Sequence, residues 1–249
     1  MMQNPAVDSA AVETGRMNAV HRYHILDTPS DGAFDRVTRI AAAMLKAPIA
    51  IVTIVDTDRI WFKSKVGLDV EEIGRAPGLC ASAILQPDVW VVEDAIHDPR
   101  TLANPLVAGA LGLQFYAGAP LRTHDGYNLG TMCVIDREPR SFSPDDQRTL
   151  EDFAAIVMDE LELRRAAREI ATAVAEREAL MDDRERQALQ LNDDVVQALA
   201  VAKLALEVGT GEYVLESLDR ALTAAKGILS EMAADSLSVE RTNAAVIHP

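Results

Sequence analysis

A long stretch of this chain, residues 145–208, contains neither glycine nor proline. These two residues are the ones that most often end helices, so their absence favours a single long helix. Ser143 is a good N-cap, Pro144 suits the first helical position, and acidic residues occupy the first turn. The sequence therefore predicts a helix that begins at Pro144, where the chain leaves a region punctuated by glycine, proline and β-branched runs.

The apolar pattern of this helix predicts a coiled coil. Apolar residues recur at spacings of three, four and seven between Leu150 and Leu206, as they do in a coiled-coil seam. The helix would be on the order of 100 Å long, which is more than a monomer of this size could cover, so a parallel homodimer is the economical prediction. Arg177 and Arg184 lie near seam positions, which predicts a weaker or hinged middle.

A second helix is expected after residues 209–211, which read Gly-Thr-Gly. Beyond them, apolar residues again recur at spacings of three and four up to Met232. The apolar stripe of this second helix would face the first helix, and two such hairpins from two chains would form a dimeric four-helix bundle. Residues 234–249 show no periodicity and are expected to form a flexible tail.

The region before Pro144 has the pattern of a mixed domain. Residues 48–56 and 59–67 predict a hairpin joined by Thr57 and Asp58. Further strands are predicted at residues 89–92, 114–121 and 129–135, and short helices near residues 80–85 and 102–107. An amphipathic helix over residues 33–44 would be capped by Ser30 or Asp31. The predicted fold class is α+β, with an antiparallel sheet flanked by helices.

Charge and composition limit the partners. A net charge of −15 argues against binding to nucleic acid or to an anionic membrane, because phosphate contacts need clustered Lys and Arg. The longest apolar run, residues 49–55, is far below the roughly 20 residues of a membrane span, and the N-terminus lacks the pattern of a signal peptide. The two cysteines are too few for a disulfide framework, and no spacing indicates a metal site. The expected location is the cytoplasm.

Several strings of this region carry a specific resemblance. In chain order they read ILDTPSDGAFDRVTRIAAAML, IAIVTIVDTDRIWFKSKVGL, GLCASAI and VVEDAIHDPR. Residues 20–165 therefore resemble a GAF domain of the bacterial sensory type. The resemblance implies a ligand-binding module, usually without enzymatic activity, that often dimerises through flanking helices and passes a signal to an output domain. A minority of GAF domains are redox enzymes acting on methionine sulfoxide, or carry haem or bilin. Residues 1–19 precede the domain, and the sequence leaves open whether they are disordered.

Five residues of the domain are candidates for contact with a small molecule: Trp61, Cys80, Ser82, Tyr116 and Cys133. Ser82 stands where many GAF relatives of this type have a histidine two residues after the cysteine. Cys80 and Cys133 suggest either a redox or covalent-ligand role or simple core packing. Trp61 and Tyr116 lie on predicted strands, where aromatic residues line a pocket or belong to the core. The ligand stays unknown, and the sequence gives no strong signal for haem, bilin or a metal.

The C-terminal part carries a second resemblance. The string LNDDVVQ, residues 191–197, resembles the motif of bacterial sensor kinases that reads Leu-His-Asp, three variable residues and Gln. The resemblance covers about residues 185–233 and implies a degenerate dimerisation and phosphotransfer hairpin over residues 191–233, which would follow the coiled-coil signalling helix predicted over residues 166–190. Asn192 occupies the phosphoacceptor position, and a carboxamide has no nucleophilic lone pair to accept a phosphoryl group. The sequence after Met232 is too short for an ATP-binding domain.

We therefore expect a cytosolic regulatory protein that is not itself an enzyme. Its GAF domain would sense a small molecule or a redox change, and its dimeric helix would lead to a bundle that binds a receiver domain or a sensor kinase through Asn192, Asp193, Asp194 and Gln197. One alternative is a response-regulator phosphatase, since Asp193 and Gln197 lie four apart on one helical face and that pair is associated with dephosphorylation in the kinase family. Another is a redox enzyme that uses Cys80. A third is that residues 192–197 are only a solvated helix surface.

Overall fold

The computed structural model describes residues 5–76, 78–109 and 111–208, together with residues 215, 216, 218–220, 222, 223 and 226. The chain divides into two compact units, the first ending at Glu169 and the second beginning at Ile170. The first unit contains the whole β-sheet. The second unit is described below by itself.

The sheet of the first unit has six strands, all antiparallel, in the order β3-β2-β1-β6-β5-β4. The strands are β1 (Ile49–Val55), β2 (Arg59–Val66), β3 (Glu72–Gly74), β4 (Trp90–Val92), β5 (Phe115–Arg122) and β6 (Asn128–Asp136). The predicted hairpin and the three further predicted strands are confirmed. Strand β3 was not predicted, because three residues with one apolar side chain give no periodic signal.

Both faces of the sheet are covered. Every residue of β1 is buried, as its unbroken apolar run requires, since an alternating pattern would be expected of a strand with one wet face. On what we call the helix face, Val52 and Ile54 pack against α1, α2 and the first part of α5. On the opposite side, the cavity face, Ile51 and Val55 pack against α3 and the segments around α4. The α+β prediction is therefore confirmed.

Five helices are described: α1 (Pro5–Arg22), α2 (Gly32–Met44), α3 (Leu79–Ala83), α4 (Pro105–Ala108) and α5 (Pro144–Val208). Helix α5 begins where the sequence predicts, because Ser143 and Asp146 form a reciprocal cap. The backbone N–H of Ser143 donates to the Asp146 carboxylate (3.0 Å), and the N–H of Asp146 donates to Ser143 Oγ (3.1 Å). Of the two residues predicted to cap α2, Asp31 accepts from the backbone N–H of Ala33.

Helix α1 occupies most of the segment before the domain. The sequence left their order open, and the chain is helical from Pro5 onward. Ala19 and Val20 are buried in the core, and the buried Arg16 guanidinium donates to the carbonyl of Val55 (2.7 Å). Small apolar residues and one arginine make these contacts, so the segment has too few large apolar residues to show a helical stripe in the sequence.

Strand β2 carries one residue more than the strand beside it. Phe62 pairs with Thr53 and Ser64 pairs with Val52, which leaves Lys63 as the extra residue of a β-bulge. The bulge turns Lys63 toward the helix face, where its side chain is buried near the rings of Phe34 and Trp61.

The Lys63 ammonium group is held by a cluster that joins three elements. It forms an ion pair with Asp31 at the start of α2 (2.9 Å) and donates to the carbonyl of Pro29 (2.6 Å). Arg164 of α5 donates two hydrogen bonds to the same Asp31 carboxylate, at 2.8 and 2.9 Å. Partial burial acts to raise the pKa of Asp31, but the hydrogen bonds from Arg164 and Lys63 outweigh it and hold that pKa well below its usual range.

In the second unit, the described part of α5 exposes a series of large apolar side chains. They are Ile170, Val174, Leu180, Met181, Leu189, Val196, Leu199, Val201, Leu204, Leu206 and Val208. The predicted turn at residues 209–211 and the tail at residues 234–249 lie outside the described residues, as does most of the predicted second helix. The hairpin and the four-helix bundle stay predictions. Among the helices of the described residues, none combines the length and the hydropathy that crossing a bilayer requires.

We expect Asp31→Asn to lower the free energy of unfolding by about 3 kcal/mol, because it leaves the Lys63 ammonium buried without a counter-charge. Asp31→Ala should cost about 1 kcal/mol more, because the helix cap is lost as well. Urea unfolding at neutral pH measures both, with the exposed Asp69→Asn as the control. Equal stability of Asp31→Asn and the control would contradict this description.

The same ion pair predicts a pH dependence. Because the pKa of Asp31 is depressed in the folded state, its stabilisation is present above the unfolded pKa and is lost as the pH falls through the folded one. The stability difference between wild type and Asp31→Asn should therefore shrink as the pH falls from about 5 to about 2. A difference that stays constant over this range would mean that the Asp31 charge is not responsible.

Candidate functional site

A cavity of about 350 Å³ lies on the cavity face of the sheet. Strands β1, β2, β5 and β6 form one wall, while α3, α4 and the loops after β2 and α4 form the other. The lining residues are Ile51, Phe62, Leu68, Val70, Ile73, Leu79, Cys80, Leu106, Leu111, Leu113, Tyr116, Ile135 and Arg137. The volume lies within the range of small-molecule sites, about 300 to 1,000 Å³.

Tyr116 of β5 is the most unusual side chain in this wall. It is fully buried, and its ring packs at a tilt against Trp90 with centroids 5.5 Å apart. Its hydroxyl oxygen has no hydrogen-bond partner with good geometry among the described residues, although the Cys80 and Thr131 side chains lie close enough to affect its pKa by weak hydrogen bonding. Burial, together with the neighbouring thiols, raises the pKa of Tyr116 well above its ordinary value. The phenol is therefore a neutral hydrogen-bond donor that has no well-aligned acceptor in the described part of the chain.

Gly118 makes room for that phenol. It lies two residues beyond Tyr116 on the same face of β5, and the ring lies along the strand above it. A Cβ at Gly118 would collide with the Tyr116 hydroxyl and would lie 2.8 Å from Cζ. The glycine is thus required by close approach of a side chain, not by its backbone conformation.

Two thiols lie beside the phenol. Cys80 of α3 and Cys133 of β6 are both buried, and their Sγ atoms are 3.9 Å apart without a bond. A hydrogen bond from the Cys133 thiol lowers the pKa of Cys80 to about 6, against the effect of burial. The hydrogen bond that Cys133 donates, together with burial, raises the pKa of Cys133 well above its ordinary value. The hydrogen bond between the two thiols thus favours the thiolate form at Cys80 over Cys133.

A pair of threonines that sequence reasoning missed lies in the centre of the sheet, next to the thiols. Thr53 of β1 and Thr131 of β6 are fully buried, with their Oγ1 atoms 3.0 Å apart. The backbone N–H of Thr131 donates to Thr53 Oγ1 (3.1 Å), and Thr53 Oγ1 donates to the carbonyl of Thr131 (3.3 Å). The sequence feature that could have predicted this pair is the one threonine in each of two apolar strands, IAIVTIV and LGTMCVI.

The structure brings together three of the five residues predicted to contact a small molecule. Cys80 and Tyr116 line the cavity, and Cys133 lies against Cys80. Trp61 packs instead in the core of the helix face, so it is on the other side of the sheet. Ser82 is exposed to solvent.

The residues predicted to bind a partner protein lie in the second unit. Asn192, Asp193, Asp194 and Gln197 are all exposed on α5. Asp193 and Gln197 are four residues apart on this helix and so share one face. No group of three or more His, Cys, Asp or Glu side chains that could hold a metal ion occurs among the described residues.

We expect Gly118→Ala to lower the free energy of unfolding by about 1 to 3 kcal/mol, because the added methyl group overpacks a rigid strand. Tyr116→Phe should leave stability unchanged or raise it, because it removes a buried hydroxyl that has no partner. In the Tyr116→Phe background the cost of Gly118→Ala should shrink, since the nearest colliding atom is gone.

Urea unfolding of the two single variants and the double variant measures these effects. Gly32→Ala is the control, because a Cβ there would approach no atom closer than 3.5 Å. A clear loss of stability in Tyr116→Phe would show that the hydroxyl has an acceptor in the folded protein, contrary to the structure.

Comparison with known proteins identifies the sheet-containing unit. A cyclic di-GMP phosphodiesterase of Pseudomonas aeruginosa is 42% identical over 147 residues, which are 59% of this chain and 25% of that protein. The chain thus spans about a quarter of the length of this curated relative. The free methionine-R-sulfoxide reductase of Neisseria meningitidis, solved with its substrate, is 18% identical with a TM-score of 0.46, covering 67% of this chain and 96% of that one.

A solved GAF domain of the Acinetobacter phosphoenolpyruvate-protein phosphotransferase is 17% identical with a TM-score of 0.46, covering 66% of this chain and 97% of that chain. The model of the GAF domain family matches residues 30–161. This match covers more than half of the chain and includes the six-stranded sheet and the cavity. The chain belongs to the GAF domain family.

Proposed function

We propose that this protein is a regulatory sensor whose GAF domain binds a small, largely apolar molecule in the cavity lined by Cys80 and Tyr116. The observation that carries the proposal is the apolar cavity of about 350 Å³, which has Tyr116 and Cys80 in its wall; the buried Tyr116 hydroxyl has no well-aligned partner among the described residues. Leaving such a donor unpaired costs about 1 to 3 kcal/mol. A ligand whose apolar part fills the cavity and whose hydrogen-bond acceptor reaches this hydroxyl, after a small movement of the ring, would recover this energy.

The chemistry of the wall narrows the class of ligand. Among the described lining residues Arg137 is the one cation, and most of the others are aliphatic or aromatic. This composition favours a compact apolar body with one acceptor and no more than one anionic group. A cyclic dinucleotide is a poor fit, because it is large for this volume and its two phosphates need more cationic partners.

The similarity to a cyclic di-GMP phosphodiesterase therefore supports a regulatory role and not this nucleotide as the cavity ligand. In our proposal the GAF domain binds a different small molecule. The process that it regulates is cyclic di-GMP signalling, to which the name of the relative refers.

Strand β2 offers a route from the cavity to helix α5. Phe62 faces the cavity, and the next residue, Lys63, is fixed on the opposite face to Asp31. Asp31 is in turn held by Arg164 of α5. A ligand that displaces Phe62 would therefore shift a buried ion pair, and the first unit would respond as a two-state element biased by occupancy.

The proposed output requires a second copy of the chain. Ile170, Val174 and Met181 are exposed on α5 and follow the seam spacing of a coiled coil. In the first unit Ile40, Ile156 and Leu163 are also exposed and line one groove between α2 and α5. Pairing of two copies would cover such apolar surfaces, and contiguous exposed apolar patches are otherwise uncommon on soluble monomers.

We propose Asn192, Asp193, Asp194 and Gln197 as the surface that meets a receiver domain or a sensor kinase. Their exposure on α5 supports docking. A phosphatase reaction would further require that Gln197 orient a water molecule at an acyl phosphate. No contact within the described part of the chain favours this reaction over docking without catalysis.

The cavity is tested with anilinonaphthalene sulfonate, a probe with an apolar body and one anionic group. We expect saturable binding with one site per chain, measured by fluorescence. Val70→Trp should abolish it, because Val70 lies at the cavity and is 49% exposed, so a larger side chain can block entry without disturbing the core. Ile96→Trp is the matched control, since Ile96 is 48% exposed and is not a lining residue. Equal binding by both variants would place the probe elsewhere and remove the support for a ligand site.

The second copy is tested by light scattering coupled to size-exclusion chromatography at micromolar concentration. We expect a dimer for the wild type and a shift to monomer for Val174→Asp, because a carboxylate at a seam position would be buried without a partner. Ala179→Asp, five residues further on the outer face of the helix, should leave the dimer intact. A monomeric wild type would contradict the proposed output mechanism.

A further inference from the structure

We propose that Cys80 and Cys133 form a reversible disulfide when a hydroperoxide enters the cavity. This modification site goes beyond the ligand-sensing function and depends on a different observation. The two Sγ atoms are 3.9 Å apart, and a disulfide needs about 2.0 Å. The atoms must therefore approach each other by about 2 Å, which rotation of the Cys80 side chain and a small shift of the five-residue helix α3 can supply.

The two thiols have different access to the reactant. Cys80 lines the cavity, so a small oxidant in the cavity reaches its sulfur first. Cys133 is fully buried on the central strand β6 and is reached only through Cys80. The surrounding polar groups also suit a reactive thiol at Cys80, since Thr131 and Tyr116 both lie next to its sulfur. This arrangement makes Cys80 the attacking thiol and Cys133 the resolving thiol.

The reaction balances with the hydroperoxide as the oxidant. The Cys80 thiolate attacks the terminal oxygen of the peroxide, so that an S–O bond forms, the O–O bond breaks, and the alcohol leaves after taking a proton. The Cys133 thiol then attacks Cys80 Sγ, so that the S–S bond forms, the S–O bond breaks, and hydroxide leaves as water with the Cys133 proton. Two thiols lose two electrons, and the peroxide becomes one alcohol and one water. A small thiol reductant restores both cysteines by exchange.

The disulfide would also change the cavity. Forming it moves the Cys80 sulfur out of the cavity wall toward β6 and holds α3 against the sheet. The same wall contains Tyr116, whose hydroxyl would lose a polar neighbour. Oxidation and ligand binding would therefore both change the same cavity wall. Oxidation would do so through a covalent bond, and the ligand would do so by filling the cavity.

The test is to treat the full chain with a stoichiometric amount of hydrogen peroxide, then unfold it and alkylate its free thiols. The chain has two cysteines, so an intramolecular disulfide can join only this pair. We expect both thiols to be lost to alkylation and both to return after reduction, with peptide mapping locating one bond between Cys80 and Cys133. Methionine oxidation gives a different mass change and does not interfere. Two free thiols after treatment, sulfinic acid without a disulfide, or disulfide-linked dimers alone would overturn the proposal.

The order of the two steps is tested with a matched pair of variants. Cys133→Ser should stop the reaction at the sulfenic acid of Cys80, which dimedone labels once per chain. Cys80→Ser should give no label, because the remaining Cys133 is sealed from solvent. Equal labelling of the two variants would overturn the assignment of Cys80 as the attacking thiol. Circular dichroism checks that each variant is folded. If one of them is unfolded, peptide mapping of the oxidised wild type still decides whether the disulfide forms.

Discussion

The ion pair between Lys63 and Asp31 links the sheet to α2 and, through Arg164, to the first part of α5. A β-bulge turns the Lys63 ammonium into the core on the helix face of the sheet, where an unpaired charge could not remain. Asp31 supplies the counter-charge for Lys63. It also caps α2 and accepts hydrogen bonds from Arg164 of α5. One carboxylate thus fixes the relative positions of the sheet, α2 and the first part of α5. Any movement of β2 must act on all three.

The cavity face of the same sheet obeys a different constraint. Its central polar groups, Thr53 and Thr131, satisfy each other across β1 and β6. Tyr116 and Cys80 lie beside these two threonines. The Tyr116 hydroxyl has no well-aligned hydrogen-bond partner among the described residues, and Cys80 is a free thiol. A pocket wall with a hydrogen-bond donor that lacks a well-aligned partner is suited to recognition, because such a group gains most when a ligand fills the space.

Local signals made much of the fold predictable. The hairpin of β1 and β2, the cap at Asp31 and the helix start at Pro144 follow from residues close to one another in the chain, and the structure confirms all three. The bulge at Lys63 was not predictable, because it depends on the register between two strands. For the same reason the sequence could not tell that Trp61 and Tyr116 point to opposite faces of the sheet. The thiol pair was anticipated as two candidates, but their separation of 3.9 Å required the tertiary structure.

We propose that occupancy of the cavity is coupled to α5 through β2, Asp31 and Arg164. Coupling between sites is reciprocal, so removing the Arg164 contact must change the affinity of the cavity on the other face of the sheet. The most direct measurement is the dissociation constant of anilinonaphthalene sulfonate for Arg164→Met. Its control is Arg165→Met, because Arg165 pairs only with Glu162 and Glu169 of its own helix among the ion pairs of the described residues. Our account predicts a change of about fivefold or more for Arg164→Met and none for the control, whereas identical affinities in both variants and the wild type would contradict it.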